Sequence, residues 1–459
     1  MFNDIKIINV RNPNNHVTQR LNEVLLKFSL NVKKLELWSS IIREAKILEL
    51  LNTTSKIEEI LFYDVELCNE DDEELLEDLK LHNLRQWKFH LCNVVTPKIL
   101  LKIPDNVLKS IIIENCIIDK ETSRKIFSKQ NCLQELEFDP YFLDPVSMKN
   151  LKLNKIRLMC NRRVVEIIRN QMQLQSLDLS KAHIGDDEFI EICKLNHLKS
   201  LKLWIDRISW EILENLGNST NLYEVSLNYD RLEVEYIRNI SRVKLRNVRM
   251  LKLKFPRLKI TAENFTEMSM NMVNIKYLHI SNQSIGVVGA LLQNFKNLDT
   301  LIIGCDSDSA EVVDFSVEGI RHEKLRELCV YDSHSDQKIL KCSKTILEIV
   351  NNCLVNLKRL KLQNVTDFDE QQLAEFLSFH PYLTHLCFVY PRETAKFGEV
   401  TVRALLNHKL KFFKSLGAEI KIHKKVLEKK FKKKFSFVEI KAWKKQIVLR
   451  DCRWKFAEE

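Results

Sequence analysis

The sequence predicts an α/β solenoid: strand–turn–helix units stacked into a horseshoe, parallel strands on its concave face and helices on its convex face. Three observations predict it. A motif of the form L-x-x-L-x-L recurs roughly every 25 residues, reading NVKKLEL at 31–37, LQSLDL at 174–179, LKSLKL at 198–203 and LKRLKL at 357–362. Stretches with helical spacing of apolar residues lie between the motifs. Glycine is scarce, 8 in 459 residues, which counts against folds whose phosphate loops need clustered glycines.

Taken in order, the motifs start at Val32, Ile57, Leu84, Leu108, Leu133, Leu153, Leu174, Leu198, Leu222, Val248, Ile275, Leu298, Leu325, Leu357 and Leu383. Those at Leu133 and Leu153 are weaker, and the one at Leu325 is followed by an insertion. Within each motif the strand alternates faces, so offsets 3 and 5 from the start point into the core. Leu177 and Leu179 are one such pair, with Asp178 between them facing solvent. The helix expected at 186–195 buries Phe189, Ile190 and Cys193, with Asp186 or Asp187 as N-cap. One unit cannot bury its apolar face alone, so about 15 repeats over 32–395 cover one another. Residues 1–31 are expected to form an N-terminal cap, and 396–459 a basic C-terminal cap.

The charge is uneven. The whole chain carries +10, yet residues 401–459 alone hold 18 Lys/Arg against 6 Asp/Glu, leaving the rest near −2. The 12 cysteines are scattered, without C-x-x-C. The N-terminus lacks the apolar core of a signal peptide, and no apolar run is long enough to span a membrane. These features point to reduced thiols, a cytoplasmic or nuclear setting and no membrane contact.

Offset 8 from each start falls in the turn after the strand. It is Cys92 and Cys116 in two repeats, but Ala182, Asp206, Gln283 and Val365 in others. Repeat lengths of 24–27 residues with helices and an occasional Cys at this offset resemble the cysteine-containing, ribonuclease-inhibitor-like leucine-rich repeats, over roughly 31–390. The repeat style, together with 17–30 (VTQRLNEVLLKFSL) leading into NVKKLELWSS, is similar to the F-box/leucine-rich-repeat proteins. That resemblance implies a substrate-recognition subunit of a cullin–RING (SCF-type) ubiquitin ligase, in which an F-box docks on the ligase adaptor and the repeats hold the client. The chain departs from the family in having no Leu-Pro dipeptide before Val32. Adaptor docking is therefore expected only if a longer form supplies the F-box.

A protein client is expected on the concave face. Its aromatic anchors are Trp38, Tyr63, Trp204, Tyr229, Tyr331 and Tyr390. Its charged pairs are Lys155 with Arg157, Lys252 with Lys254, Arg359 with Lys361, and Glu135 with Glu137. The acidic run 69–79 reads as a solvated helix on the convex face, with Leu75, Leu76 and Leu79 buried. In the basic tail, Lys424, Lys425, Lys429, Lys430, Lys432, Lys433 and Lys434 lie on an expected amphipathic helix. It serves first as a cap and second for nuclear import or nucleic acid. No catalytic, cofactor or metal motif stands out, so no enzyme activity, cofactor or metal is expected. Cys329 and Cys387 fall at outward offset 4. Leu177→Asp or Leu360→Asp is expected to unfold neighbouring repeats, and Asp178→Ala to leave stability unchanged.

Overall fold

The computed structural model describes residues 4–8, 32–54, 56–68, 78–92, 98–116, 118–138, 143–159, 163–205, 209–228, 234–255, 259–284, 287–305, 320–332, 343–363, 370–389, 396–416, 419–420, 424–432, 434–435, 437–441 and 446–450. The chain divides into two compact units, 1–222 and 223–459. Each is an α/β leucine-rich-repeat solenoid in which the strands of successive repeats lie parallel.

The first unit contains strands β1 (Asp4–Ile8), β2 (Lys34–Arg43), β3 (Glu59–Cys68), β4 (Gln86–His90), β5 (Ser110–Glu114), β6 (Glu135–Phe138), β7 (Lys155–Leu158), β8 (Ser176–Ile184) and β9 (Ser200–Ile205). Helices α1 (Glu44–Asn52), α2 (Lys120–Lys129), α3 (Val164–Ile168), α4 (Asp186–Cys193) and α5 (Trp210–Leu213) fall between or after them. Every neighbouring pair from β1–β2 to β8–β9 is parallel. The register is set by the motif: Leu35, Ile60, Trp87, Ile111, Leu136, Ile156, Leu177 and Leu201 stack in one row, all fully buried. These are the offset 3 residues. A one-residue slip would turn the whole row to the other face, so burial holds the pairing.

The second unit repeats the plan with β10 (Glu224–Asn228), α6 (Val234–Arg242), β11 (Met250–Lys254), α7 (Ala262–Asn271), β12 (Tyr277–Gln283), α8 (Val287–Asn294), β13 (Thr300–Cys305), β14 (Glu327–Asp332), α9 (Ser343–Cys353), β15 (Arg359–Gln363), α10 (Glu370–Phe379) and β16 (His385–Val389). After these come β17 (Lys396–Phe397), α11 (Glu399–Asn407), β18 (Phe412–Leu416), β19 (Glu419–Ile420), α12 (Lys424–Phe431), β20 (Phe437–Lys441) and β21 (Gln446–Arg450). Strand β18 continues the parallel ladder beside β16, with Leu410 and Phe413 in the places of motif leucines. Strand β21 then pairs antiparallel with β18, and β20 antiparallel with β21.

Turn chemistry is more regular than the offset 8 residues suggest. Offset 7 takes a left-handed backbone in five repeats, at Ser39, Asp64, Leu91, Asn115 and Asn282 (φ 45–57°). At offset 8, the Cys92 N–H donates to Cys116 Sγ (3.3 Å), and the two thiols reach the His90 and Glu114 carbonyls. Gln283 does the same work with an amide, accepting from Ile260 N–H (2.8 Å) and donating to Ser281 O (2.7 Å). A second polar position sits three residues before several motif starts. Gln130 accepts from the Val107 and Leu108 N–H groups and donates to Pro104 O, and Gln171 bridges Leu153 N–H and Met148 O. His322 and His380 occupy the same place, buried. Gln130, Gln171 and His322, which bonds Phe295 O and Leu325 N–H, satisfy backbone groups that the stacking removes from water, whereas the His380 ring meets the Asn351 side chain (2.9 Å).

Three local expectations need correction. In α4, Phe189 and Ile192 are buried while Ile190 is exposed and Cys193 half-buried, because the helix is rotated about one residue from the expected stripe. Its N-cap is Gly185, whose N–H donates to Glu188 (2.9 Å); Asp186 instead accepts from Ser209 N–H (2.6 Å) in the next repeat. Asp178 is not free: it accepts from Ser180 N–H and Oγ at 3.0 and 2.6 Å, closing a turn. Of the acidic run, 69–77 lie outside the described residues; Leu79 is buried.

Candidate functional site

In each unit one face of the sheet packs on the helices and turns, and the other carries the outward strand positions, offsets 1, 2, 4 and 6. On this open face the parallel register brings equivalent offsets side by side, at the strand spacing of about 4.8 Å.

In the first unit the offset 6 row begins with a ring stack. Trp38 lies on Tyr63 (centroids 4.3 Å, 26°), and Tyr63 on His90 (4.7 Å, 23°), each from the next strand. The Trp38 indole donates to Glu36 Oε2 (3.1 Å). His90 Nδ1 lies 2.9 Å from Glu114 Oε2, and Lys181 donates to the other oxygen of the same carboxylate at 2.7 Å. Burial works against the Glu114 charge, yet Lys181, His90 and Arg157 together hold its carboxyl below the usual range. The offset 4 row carries a ladder of alternating charge. Arg157 donates to Glu137 (2.7 Å) and lies 3.7 Å from Asp178, which lies 3.6 Å from Lys202. Burial pushes the Glu137 carboxyl up despite Arg157. Lys155 is exposed, 3.9 Å from Glu135. Trp204 is half-buried beside His183 (5.5 Å).

The second unit differs. Lys252 reaches Glu224 (3.3 Å) and lies 5.5 Å from the Tyr277 ring, and Arg359 reaches Glu327 (3.3 Å). Lys254 and Lys361 are exposed. Tyr331 lies across β13, where a Cβ on Gly304 would stand 2.8 Å from the ring, and its hydroxyl meets His279 Nε2 at 2.9 Å. Only glycine permits that crossing. Burial, then Lys254 and Lys252, pull His279 down to about 4, so the imidazole is neutral at pH 7; burial pushes the Tyr331 phenol up to about 12. Cys329 and Cys387 are both half-buried, and burial pushes the Cys387 thiol up against the pull of Lys414 and Lys361. Tyr229 and Tyr390 lie outside the described residues.

In the basic tail, two lysines are committed to packing. Lys434 donates to the carbonyls of Leu405 (2.7 Å), Leu406 (3.0 Å) and His408 at the C-terminal end of α11, and burial lowers its pKa. Lys430 pairs with Glu399 (3.0 Å). Lys429 and Lys432 are exposed. Lys424 and Lys425 lie within α12, their side chains undescribed, and Lys433 is outside the described residues.

Sequence reasoning missed His90, Glu114, Lys181 and His279. The first two share offset 6 with Trp38 and Tyr63, so the signal was present in the repeat frame. Lys181 was out of reach: its partner is 67 residues away. Among the described residues no helix is long and apolar enough to cross a membrane, and no cluster of three or more His, Cys, Asp or Glu is placed to hold a metal.

No family model matches the chain, and no curated protein matches it by sequence. By structure it is similar to an internalin from Listeria monocytogenes, at 14% identity over 90% of this chain and 96% of that one, with a TM-score of 0.36. It is also similar to a chain in the TLR13–ssRNA13 complex, at 15% identity over 88% of this chain and 55% of that one, with a TM-score of 0.48. At these values the architecture rests on the strand register and buried rows described above, and the likenesses add nothing about a ligand.

Proposed function

We propose that this chain is a non-catalytic binding scaffold that grips a protein client on the open face of its repeats. The observation that carries the reading is the in-register array of outward side chains. Trp38, Tyr63 and His90 form one stacked surface, and Glu137, Arg157 and Asp178 another, so a client meets several repeats at once. Rings and guanidinium groups held by neighbours lose little freedom on binding. The finer reading is a substrate receptor of a cullin–RING ubiquitin ligase in the cytoplasm or nucleus, supported by the similarity of the repeat style and of 17–30 to the F-box/leucine-rich-repeat proteins.

Affinity purification of the tagged chain tests both levels. Recovery of a cullin and its adaptor is expected for the ligase role. Recovery of a client alone, lost in a Trp38→Ala/Tyr63→Ala variant, leaves a scaffold or inhibitor unrelated to ubiquitin. A client that binds this variant unchanged removes the face from consideration. A nucleic-acid role for the tail rests on fewer cations than its composition suggests, since Lys430 and Lys434 are engaged within the fold. Salt-sensitive RNA retention lost on neutralising Lys429 and Lys432 is the result that favours it.

A further inference from the structure

The two open faces differ in charge. At offsets 1, 2, 4 and 6, the described residues of the repeats of β2–β9 hold nine Lys/Arg and seven Asp/Glu, while those of β10–β16 and β18 hold ten and three. The three acids of the second unit are already paired: Glu224 with Lys252, Asp299 with Arg326 and Glu327 with Arg359. Lys254, Lys361 and Lys414 have no carboxylate within 4.0 Å among the described residues. Independent groups feel this field: Lys254 and Lys252 depress His279, Arg359 and Lys411 depress His385, and Lys414 and Lys361 favour the charged form of Cys387. Burial is the larger cause in each case.

One row of the same face is uncharged at its middle. The offset 4 row runs Lys252, His279, Ile302, Cys329, Lys361, Cys387, Lys414 in register. His279 is neutral, so within this row three uncharged positions separate two cationic flanks, while the charges of the same strands lie at offsets 1 and 2, where Asp299 pairs with Arg326 and Glu327 with Arg359. Lys252 and Lys361 stand four strands apart, about 19 Å, which an extended chain spans in about six residues.

We propose that the open face of the second unit binds an acidic polypeptide segment, with an apolar side chain seated over Ile302 and Cys329 and carboxylates on either side of it, toward Lys252 and Lys254 at one end and Lys361 and Lys414 at the other. This rests on the open-face reading above and names the chemistry of the partner. A single-stranded nucleic acid fits less well, because its bases need open ring faces to stack on. Here the Tyr277 ring has Lys252 over it, and the Tyr331 ring is laid over Gly304 and tethered to His279.

The test uses the full chain and a fluorescein-labelled peptide carrying three glutamates on each side of a Leu-Leu centre. Fluorescence anisotropy should show binding that weakens as salt rises from about 50 to about 200 mM. Combined Lys254→Glu, Lys361→Glu and Lys414→Glu should weaken it at least about tenfold, and Lys155→Glu with Lys199→Glu on the first unit by less than about twofold. If the triple variant melts early, Lys361→Glu alone, at an exposed site, should still weaken binding about threefold. Equal losses in both variants overturn the proposal. So does undiminished binding of a peptide with glutamine for glutamate, or tighter binding of an oligouridine RNA that the triple variant loses. Panning random 16-residue peptides against the chain separates this idea from its parent. Binders that are not acid-rich but are displaced by Thr300→Trp leave open-face binding standing and end the acidic reading. If neither face yields binders, both fall.

Discussion

At the residue scale, single side chains carry obligations that the repeat frame imposes. Leu91 is 44% exposed, yet holds the left-handed backbone that Asn115 and Asn282 hold in equivalent turns. A leucine there is strained by its Cβ, whereas asparagine tolerates the conformation. Leu91→Asn is therefore expected to raise stability by about 0.5–1 kcal/mol, read as a higher urea midpoint. The buried histidines act in the opposite sense. Burial, with His408 as the second cause, pulls His380 down to about 4 from 6.5, and burial takes His279 and His385 to about 4 as well. Above pH 6.5 both folded and unfolded states are neutral at these sites. As pH falls below 6.5 the unfolded state takes up protons that the folded state refuses, so stability drops, and the loss levels off near pH 4. Urea midpoints at pH 7 and pH 5 should show this fall. His380→Gln, which places at this position the residue that Gln130 and Gln171 supply elsewhere, should make it smaller.

At the scale of elements, the C-terminal end of α11 is closed by a side chain from outside its own repeat. The C-terminal carbonyls of α11 are satisfied by the Lys434 ammonium, which lies just past α12. Cations stabilise a helix C-terminus, and this one also fills acceptors that the stacking hides. Lys434→Ala is expected to cost about 1–2 kcal/mol and to speed amide exchange in the last turn of α11. Lys432→Ala, at an exposed site, should do neither. Equal effects would show that the tail acts through net charge and not through this contact. Strand β13 shows a comparable dependence: Gly304 has no side chain so that Tyr331, from the next strand, can lie where one would be.

At the scale of the molecule, stability is a sum of nearest-neighbour interfaces within each unit. Leu177 is fully buried between Ile156 and Leu201, so Leu177→Asp puts an unpaired charge into the stack and should cost more than about 4 kcal/mol. Asp178→Ala removes the two Ser180 contacts and one anion from the charge ladder, a loss of about 1 kcal/mol. Hydrogen exchange mapped along the chain should show the Leu177→Asp damage in β7, β8 and β9 first, with β13–β16 near wild type. Uniform loss of protection would mean a single cooperative core.

The period, the parallel order of the strands and the buried offsets 3 and 5 follow from the sequence alone, because leucine spacing is local and every copy restates it. Placement of Trp38, Tyr63, Lys155, Arg157, Lys252, Lys254, Arg359 and Lys361 on the outward face follows from the same alternation. The helices were less legible: in α4 a short amphipathic run fits two rotations about one residue apart, and only the neighbouring repeat selects Ile192 over Ile190. What tertiary structure decided is which outward groups neutralise one another. Lys181 meets Glu114 across 67 residues, Tyr331 crosses Gly304 to His279, and Lys434 leaves the basic tail to close α11. Such partners are chosen by side-chain reach across stacked strands, a distance set by register and backbone turn, and no spacing along the chain encodes it.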